Sequence, residues 1–510
     1  MSSPLVSEIP SSFIVPWRNL LLAHQDARLH DVPNYHCARD IDSLITTSIP
    51  RSLVVGTGHS IFSRAILPAI AAAQRSIHFV TCFWAASPSL DGLREALLEL
   101  AASRCGPQHG EPLPPTLHVS IGFSSRGLFQ KLLHPSSFDG HLYPPRDWPK
   151  LGLPDEKALR RGGIEMTVKS LFFTPFSVLH PKYIIVDGRS AWVPSCNVSW
   201  ERWFEGCIEL EGNVVDALIG FHARVWGRKP DDVTDATHEP GVDMNERRAG
   251  DQTRGGGGDG SDDGDDEMTD SATSNEEGRR GHDRMQSAAQ AVCLSGSRPI
   301  PTVLLPSPHH RNPRFRFLFL FSRADPPMTP LNAALLTLFA NAQRDIRIVT
   351  PNVTSWPVLE ALLAALSRGV NVQIRTSRNL MLLEQLLTAG TTTSWCLKKL
   401  IRRYWKLTDR GHQPADLEAQ PVSPGRLEIF YYRQLGRRAG KDDEPVASHL
   451  KMTMVDDEYL VLGSGNLDRA SWYTSQELGL LFYMPGFEER SLWETVLEQR
   501  AQVLFRSGHY

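Results

Sequence analysis

The sequence predicts an α/β fold built twice along one chain of 510 residues. Three observations carry this. Two long blocks each run strand, helix, strand. The same residues recur in both at a constant spacing. An acidic, glycine-rich stretch separates them. Strand–helix–strand order implies helices covering a sheet, and a repeat of this length implies a duplicated domain, not a solenoid.

Taken in chain order, residues 1–50 precede the repeat and are expected to form an N-terminal extension. The first repeated domain is expected over 51–228. It contains Ala73-Gln74-Arg75-Ser76-Ile77-His78-Phe79-Val80-Thr81, in which an Ala-rich helical stretch ends near the Gln-Arg pair and an alternating strand begins. A helix over 90–102 and a strand around 117–121 follow. The second domain is expected over 301–510. It repeats the first as Ala342-Gln343-Arg344-Asp345-Ile346-Arg347-Ile348-Val349-Thr350, and 342 − 73 = 269. A helix over 359–367 comes next, with Gly369 in the place of a C′ glycine. A strand over 370–375 follows it.

Between the blocks, residues 251–277 hold ten acids and one base, a net of −9, and Gly255 to Gly258 run consecutively. The whole chain carries −3, so the remainder is −3 − (−9) = +6. Such a segment has too little apolar surface to offset its ordering entropy, so 229–300 is read as a disordered linker.

Composition narrows the function. With 41% hydrophobic and 22% charged residues the chain is an ordinary globular protein, neither collagenous, mucin-like nor wholly disordered. Its charge balance lacks the general basic excess of a nucleic-acid binder. The seven cysteines form no CxxC pair, which disfavours a disulfide framework or zinc site and favours a reducing compartment. No apolar run reaches membrane-span length and no signal peptide is evident, so an intracellular protein is expected, cytoplasmic or peripheral on a membrane.

The chemistry lies in a second pair of repeated segments. One reads His180-Pro181-Lys182-Tyr183-Ile184-Ile185-Val186-Asp187, followed by Ser195 and Asn197. The other reads His449-Leu450-Lys451-Met452-Thr453-Met454-Val455-Asp456, followed by Gly463-Ser464-Gly465-Asn466. Every His, Lys, Asp, Ser and Asn again differs by 269, as in 449 − 180. Residues two apart on a strand share a face, so each His and Lys should project together from a buried strand. Two imidazoles, two ammoniums and two Ser/Asn pairs suit a phosphodiester. One neutral His attacks phosphorus and the other, protonated, serves the leaving oxygen. Lys182, Lys451, Asn197 and Asn466 stabilise the charge on the equatorial oxygens. Ser195 and Ser464 are expected to bind substrate. No metal-ligand spacing accompanies these residues, so neither metal nor other cofactor is expected.

The pattern His-x-Lys-x4-Asp-x6-Gly-Ser-x-Asn resembles the HKD motif of the phospholipase D superfamily. The second copy is complete, and the first departs only at Pro194, which stands where the motif has glycine. The resemblance implies two α/β sandwich domains packed as a pseudo-twofold pair with the active site at their interface. It implies His180 as nucleophile and His449 as general acid and then base, with Asp187 and Asp456 structural. It further implies one carboxylate orienting each His. Glu477 is expected to orient His180 and Glu205 to orient His449, Glu209 being the competitor to Glu205.

The motifs fix the bond and not the rest of the substrate. A glycerophospholipid is the expected substrate, and the domain plan resembles the compact cardiolipin synthase-like one. Transfer to an alcohol and nucleic-acid cleavage are the alternatives. Trp200, Trp203, Phe204, Trp472 and Tyr473 crowd the motifs and suit either an acyl channel or the core. Over 395–407, Leu397, Leu400, Ile401 and Tyr404 share one helical face, while Lys398, Lys399, Arg402, Arg403 and Lys406 share the other. That basic amphipathic pattern suits peripheral contact with an anionic membrane, a nucleic-acid backbone, or simply the domain surface.

Overall fold

The computed structural model describes residues 8–25, 31–32, 38–105, 115–127, 140–173, 177–199, 202–227, 290–293, 298–307, 309–310, 325–411, 423–435, 444–485 and 491–508. Most of the expected linker, 228–289 and 294–297, and Trp200 lie outside these residues.

The first block is one mixed sheet flanked by helices. Its strands are β1 (Ile45–Thr57), β2 (Ser76–Phe83), β3 (Leu117–Ser125), β4 (Ile164–Ser170), β5 (Tyr183–Val186), β6 (Ser190–Pro194) and β7 (Trp203–Glu211). Strands β4, β3 and β2 are parallel neighbours; β5, β6, β7 and β1 continue the sheet antiparallel. The parallel strands require crossovers, and helix α2 (Pro88–Arg104) supplies one between β2 and β3. It starts where Ser87 accepts the N–H of Leu90 at 3.1 Å. Its Leu90, Leu93, Leu97 and Leu100 are buried, and helix α3 (Asn213–Trp226) follows β7.

The second block repeats this order. Its strands are β9 (Ile300–Ser307), β10 (Asp345–Thr350), β11 (Asn371–Thr376), β12 (Leu427–Tyr432), β13 (Ala447–Ser448), β14 (Met452–Val455), β15 (Tyr459–Gly463) and β16 (Glu477–Tyr483); β8 (Gln290–Cys293) precedes them. Strands β12, β11 and β10 run parallel, and β14, β15, β16 and β9 follow antiparallel. The crossover helix α5 (Trp356–Ser367) ends at Arg368, and Gly369 follows with φ 92°. The positive φ explains the glycine there.

Two features depart from the expected boundaries. The division at residue 50 cuts through β1, which joins the two sheets: Ile45 to Ser48 pair with β9, while Ile49 to Thr57 pair with β7. The extension also contains helix α1 (Ser11–Ala23), which packs on helix α4 (Pro330–Asn341) of the second block. Trp17 there is fully buried, and its Nε1 donates to the carbonyl of Pro330 at 3.1 Å. The expected linker, in turn, ends in structure: β8 pairs with β1 and β9 begins at Ile300. A composition shift marks where polar residues crowd, but a strand a few residues long at its end leaves too weak a pattern to read.

Among the described residues no helix is long and apolar enough to cross a membrane.

Candidate active site

Strands β5 and β14 occupy the spans expected of them, but His180, Lys182, His449 and Lys451 precede those strands instead of lying inside them. Each Lys nonetheless returns to its own His. Lys182 Nζ donates to the His180 carbonyl at 2.7 Å, and Lys451 Nζ to the His449 carbonyl at 2.6 Å.

Backbone contacts between the halves hold each His in place. His180 N–H donates to the carbonyl of Gln476 at 2.9 Å, and His449 N–H to that of Phe204 at 2.8 Å. Strand β7 also runs parallel to β13, with Phe204 beside Ser448. Gln476 and Phe204 each immediately precede a buried glutamate. His180 Nδ1 therefore lies 2.9 Å from Glu477 Oε2, and His449 Nδ1 lies 2.8 Å from Glu205 Oε1. Both halves contribute to both pairs. Glu209, the competitor to Glu205, accepts instead from Ser52 Oγ at 2.9 Å.

The electrostatics tie these groups into one cluster. Burial lowers the pKa of His180, and Lys182 and Lys451 lower it further against the pull of Glu477. Burial brings His449 down to about 4, with Lys451 and Lys182 assisting and Glu205 opposing. Lys451 falls to about 7, through burial first and then Lys182. Burial alone would raise Glu205 and Glu477, but the paired imidazole, the serine hydroxyls and, at Glu205, Lys451 together offset it, and both are held below the usual carboxylate value. Lysines from each half thus act on the histidine of the other.

The two imidazoles are not equivalent. The His180 side chain is 15% exposed and that of His449 only 3%. Trp203 lies 4.8 Å from the His449 ring, centroid to centroid, and Lys451 Nζ is 2.9 Å from both of its ring nitrogens.

Ser195 and Ser464 take a different place from the substrate contact expected of them. Both are buried. Ser464 Oγ donates to Glu477 at 2.5 Å and accepts the Leu478 N–H at 3.0 Å. Ser195 Oγ donates to Glu205 and accepts the Gly206 N–H at 2.9 Å. Each hydroxyl is engaged in fixing a carboxylate. The sequence places each Ser near its Glu, but only the antiparallel pairing of β6 with β7, and of β15 with β16, brings them into contact.

Asn197 Oδ1 accepts the N–H of Phe83 at 3.1 Å. Asn466 Nδ2 instead donates to Asp468 Oδ2 at 2.9 Å. Asp468 is buried, which raises its pKa. This residue was missed by motif reasoning, although the repeat carried a signal: its counterpart at 468 − 269 = 199 is Ser199. Of the aromatic residues near the motifs, Phe204 and Trp472 are core, while Trp203 and Tyr473 are partly exposed.

The motif aspartates brace the sheets from outside the site. Asp187 and Asp456 both have positive φ, 56° and 55°. The Asp187 carboxylate accepts N–H groups from Gln74, Arg75 and Ser76; that of Asp456 accepts from Gln343, Arg344 and Asp345. These are the residues opening β2 and β10, which accounts for the repeated Gln-Arg pair as the place where a strand begins. Among the described residues no group of three His, Cys, Asp or Glu side chains could hold a metal ion.

The family model described as "Cardiolipin synthase, PLD-like domain" matches residues 335–499. That match covers about a third of the chain and lies within its second block. Among solved structures, phosphatidylserine synthase of Haemophilus influenzae Rd KW20 is similar at 16% identity and a TM-score of 0.50, covering 91% of this chain and 90% of that one. That likeness concerns the fold. Nuc of Salmonella typhimurium, a phospholipase D family member, is similar at 19% identity and a TM-score of 0.23 over 35% of this chain and 91% of its own. No curated protein sequence matches the chain.

Proposed function

We propose that this phospholipase D-like protein cleaves a glycerophospholipid phosphodiester through a covalent phosphohistidine at His180. The supporting observation is the crossed pairing, His180 with Glu477 and His449 with Glu205, beside Lys182 and Lys451. A carboxylate on Nδ1 fixes the tautomer and leaves Nε2 as the reacting nitrogen. The lowered pKa keeps His180 neutral near pH 7 and able to attack. Its greater exposure favours it over His449 as nucleophile.

In the first step His180 Nε2 forms a bond to phosphorus as the bond to the leaving oxygen breaks. Protonated His449 gives its proton to that oxygen. Burial opposes protonation of His449 in the free protein. A bound phosphodiester adds a negative charge beside the imidazole and raises its affinity for the proton. The lysine ammoniums and the Asn side chains stabilise the five-coordinate phosphorus. In the second step neutral His449 takes a proton from water, whose oxygen attacks phosphorus and breaks the P–N bond. An alcohol in place of water gives transfer. The match over 335–499 to a cardiolipin synthase-type domain supports a lipid substrate and keeps transfer as the second reading.

The test is headgroup release from phosphatidyl vesicles in EDTA by wild type, His180→Ala and His449→Ala, with and without glycerol or phosphatidylglycerol as acceptor. Release by wild type alone is expected; a new lipid product on adding acceptor marks transfer. Activity that survives both replacements, or that needs added metal, overturns the mechanism.

A further inference from the structure

The basic helix expected over 395–407 is present as part of helix α7 (Thr393–Gly411). Its apolar face, however, is unavailable to a bilayer. Cys396, Leu397, Leu400 and Tyr404 are buried in the hydrophobic core of the second domain. Only the other face looks outward, with Trp395, Lys398, Arg402 and Lys406 exposed. These four recur at helical spacing and form one stripe. Arg403 is paired with Glu360, and Lys399 packs over the Trp356 ring at 3.8 Å. Among the described residues Lys398, Arg402 and Lys406 have no carboxylate within ion-pair distance.

The missing apolar surface lies just before it in the chain. Helix α6 (Leu382–Ala389) buries only Gln385 and leaves Leu382, Leu383, Leu386 and Leu387 exposed, Leu383 to 72% and Leu387 to 60%. Of eleven exposed large hydrophobics among the described residues, these four and Trp395 fall within fourteen positions, 382–395. The four leucines share the face of α6 opposite Gln385 and make a patch there, whereas singly exposed leucines are ordinary. Gln385 locks it to the basic stripe: its Oε1 accepts the Thr393 N–H at 2.7 Å and the Thr393 hydroxyl at 3.0 Å. The patch also borders the active site. Ser377, just ahead of α6, donates its hydroxyl to the carbonyl of Ser448, the residue before His449, at 2.6 Å. Helix α6 touches helix α8 (Arg469–Tyr473), which follows Asn466.

We propose that the leucines of α6, with Trp395 and the cations Lys398, Arg402 and Lys406, form a docking surface for an anionic phospholipid bilayer at the rim of the active site. The leucines enter the acyl boundary, Trp395 lies at headgroup depth, and the three cations meet the negative surface. The surface serves the lipid substrate proposed above and rests on that reading for its purpose, but its binding is measurable without turnover.

The experiment uses the full chain carrying His180→Ala, so that lipid is not consumed, floated with vesicles of equimolar phosphatidylcholine and phosphatidylglycerol or of phosphatidylcholine alone. Binding to the anionic vesicles only is expected. It should fall at least about tenfold both in Leu383→Ser/Leu386→Ser/Leu387→Ser and in Lys398→Glu/Arg402→Glu/Lys406→Glu. In the His180-containing protein both sets should leave hydrolysis of soluble bis(4-nitrophenyl) phosphate at the wild-type rate. Undiminished vesicle binding by the leucine variant overturns the proposal; if only charge reversal matters, the surface is a polyanion site. A Tm several degrees lower in the leucine variant, or a dimer that it dissociates, shows the leucines covered by protein and also overturns it. Failure of the wild type to cleave any phosphodiester, with flotation as expected, refutes the catalytic reading and leaves the membrane surface standing.

Discussion

His180 Nδ1 and Glu477 Oε2 are 2.9 Å apart although 297 positions separate the residues in the chain. Neither half of the protein therefore holds a complete histidine–carboxylate pair by itself. Glu477→Gln keeps the side-chain volume but removes the charge that fixes the His180 tautomer. We expect kcat to fall on the order of 10²–10⁴-fold with KM little changed, by analogy with other oriented-histidine sites. Steady-state kinetics on a soluble phosphodiester would decide it; an unchanged kcat refutes the orienting role.

Ser464 reaches the reaction only through Glu477. Ser464→Ala should lower kcat by about tenfold or more and leave KM unchanged, because the hydroxyl holds the carboxylate and not the substrate. A rise in KM at constant kcat would restore the substrate-binding role expected from the motif.

Asp456 acts on stability. Its carboxylate takes three backbone N–H groups at the start of β10. Asp456→Ala leaves them without that acceptor and should cost about 2–3 kcal/mol. Asp456→Asn retains an acceptor oxygen and tolerates the positive φ, so it should cost less. Denaturant midpoints for the three proteins give the ranking, and equal losses for Ala and Asn would contradict it.

The departure at Pro194 has a local explanation in its counterpart. Gly463 has φ 155°, and a Cβ there would lie 2.3 Å from the carbonyl oxygen of Leu478. Pro194 ends β6 in register with Cys207. Gly463→Ala should therefore destabilise by about 1–3 kcal/mol, while Pro194→Gly stays within about 1 kcal/mol. Thermal melts compare the two; a harmless Gly463→Ala would show that the backbone gives way there.

Acid should weaken the fold early. His449 sits at about 4 in the folded protein against an ordinary 6.5. Between those values the unfolded chain holds a proton that the folded one does not, so stability drops as pH falls through 6.5 toward 4. His180 adds to the loss in the same direction. Glu205 and Glu477, held below 4.5, extend it at lower pH. Tm measured from pH 7 to pH 4 should decline, and less steeply in His449→Gln. Parallel curves for the two proteins would exclude the imidazole as the cause.

The duplicated α/β plan, the paired motifs and the span of strands β5 and β14 were all legible in the sequence, because strand alternation and a repeated register are local properties written in neighbouring residues. The aspartate role was implied by resemblance alone, and its geometry, three N–H groups capped from a left-handed residue, appears only when Asp187 meets Gln74 and Asp456 meets Gln343. The tertiary structure decided what distant segments do to each other. It brought Ser195 and Ser464 onto carboxylates, tied Asn466 to Asp468, ran β1 through both sheets, and turned the apolar face of α7 inward while leaving the leucines of α6 outside. An amphipathic pattern records that one face is apolar, but not whether a neighbouring helix or the surroundings of the protein will cover it. That depends on which surfaces the rest of the chain has already buried.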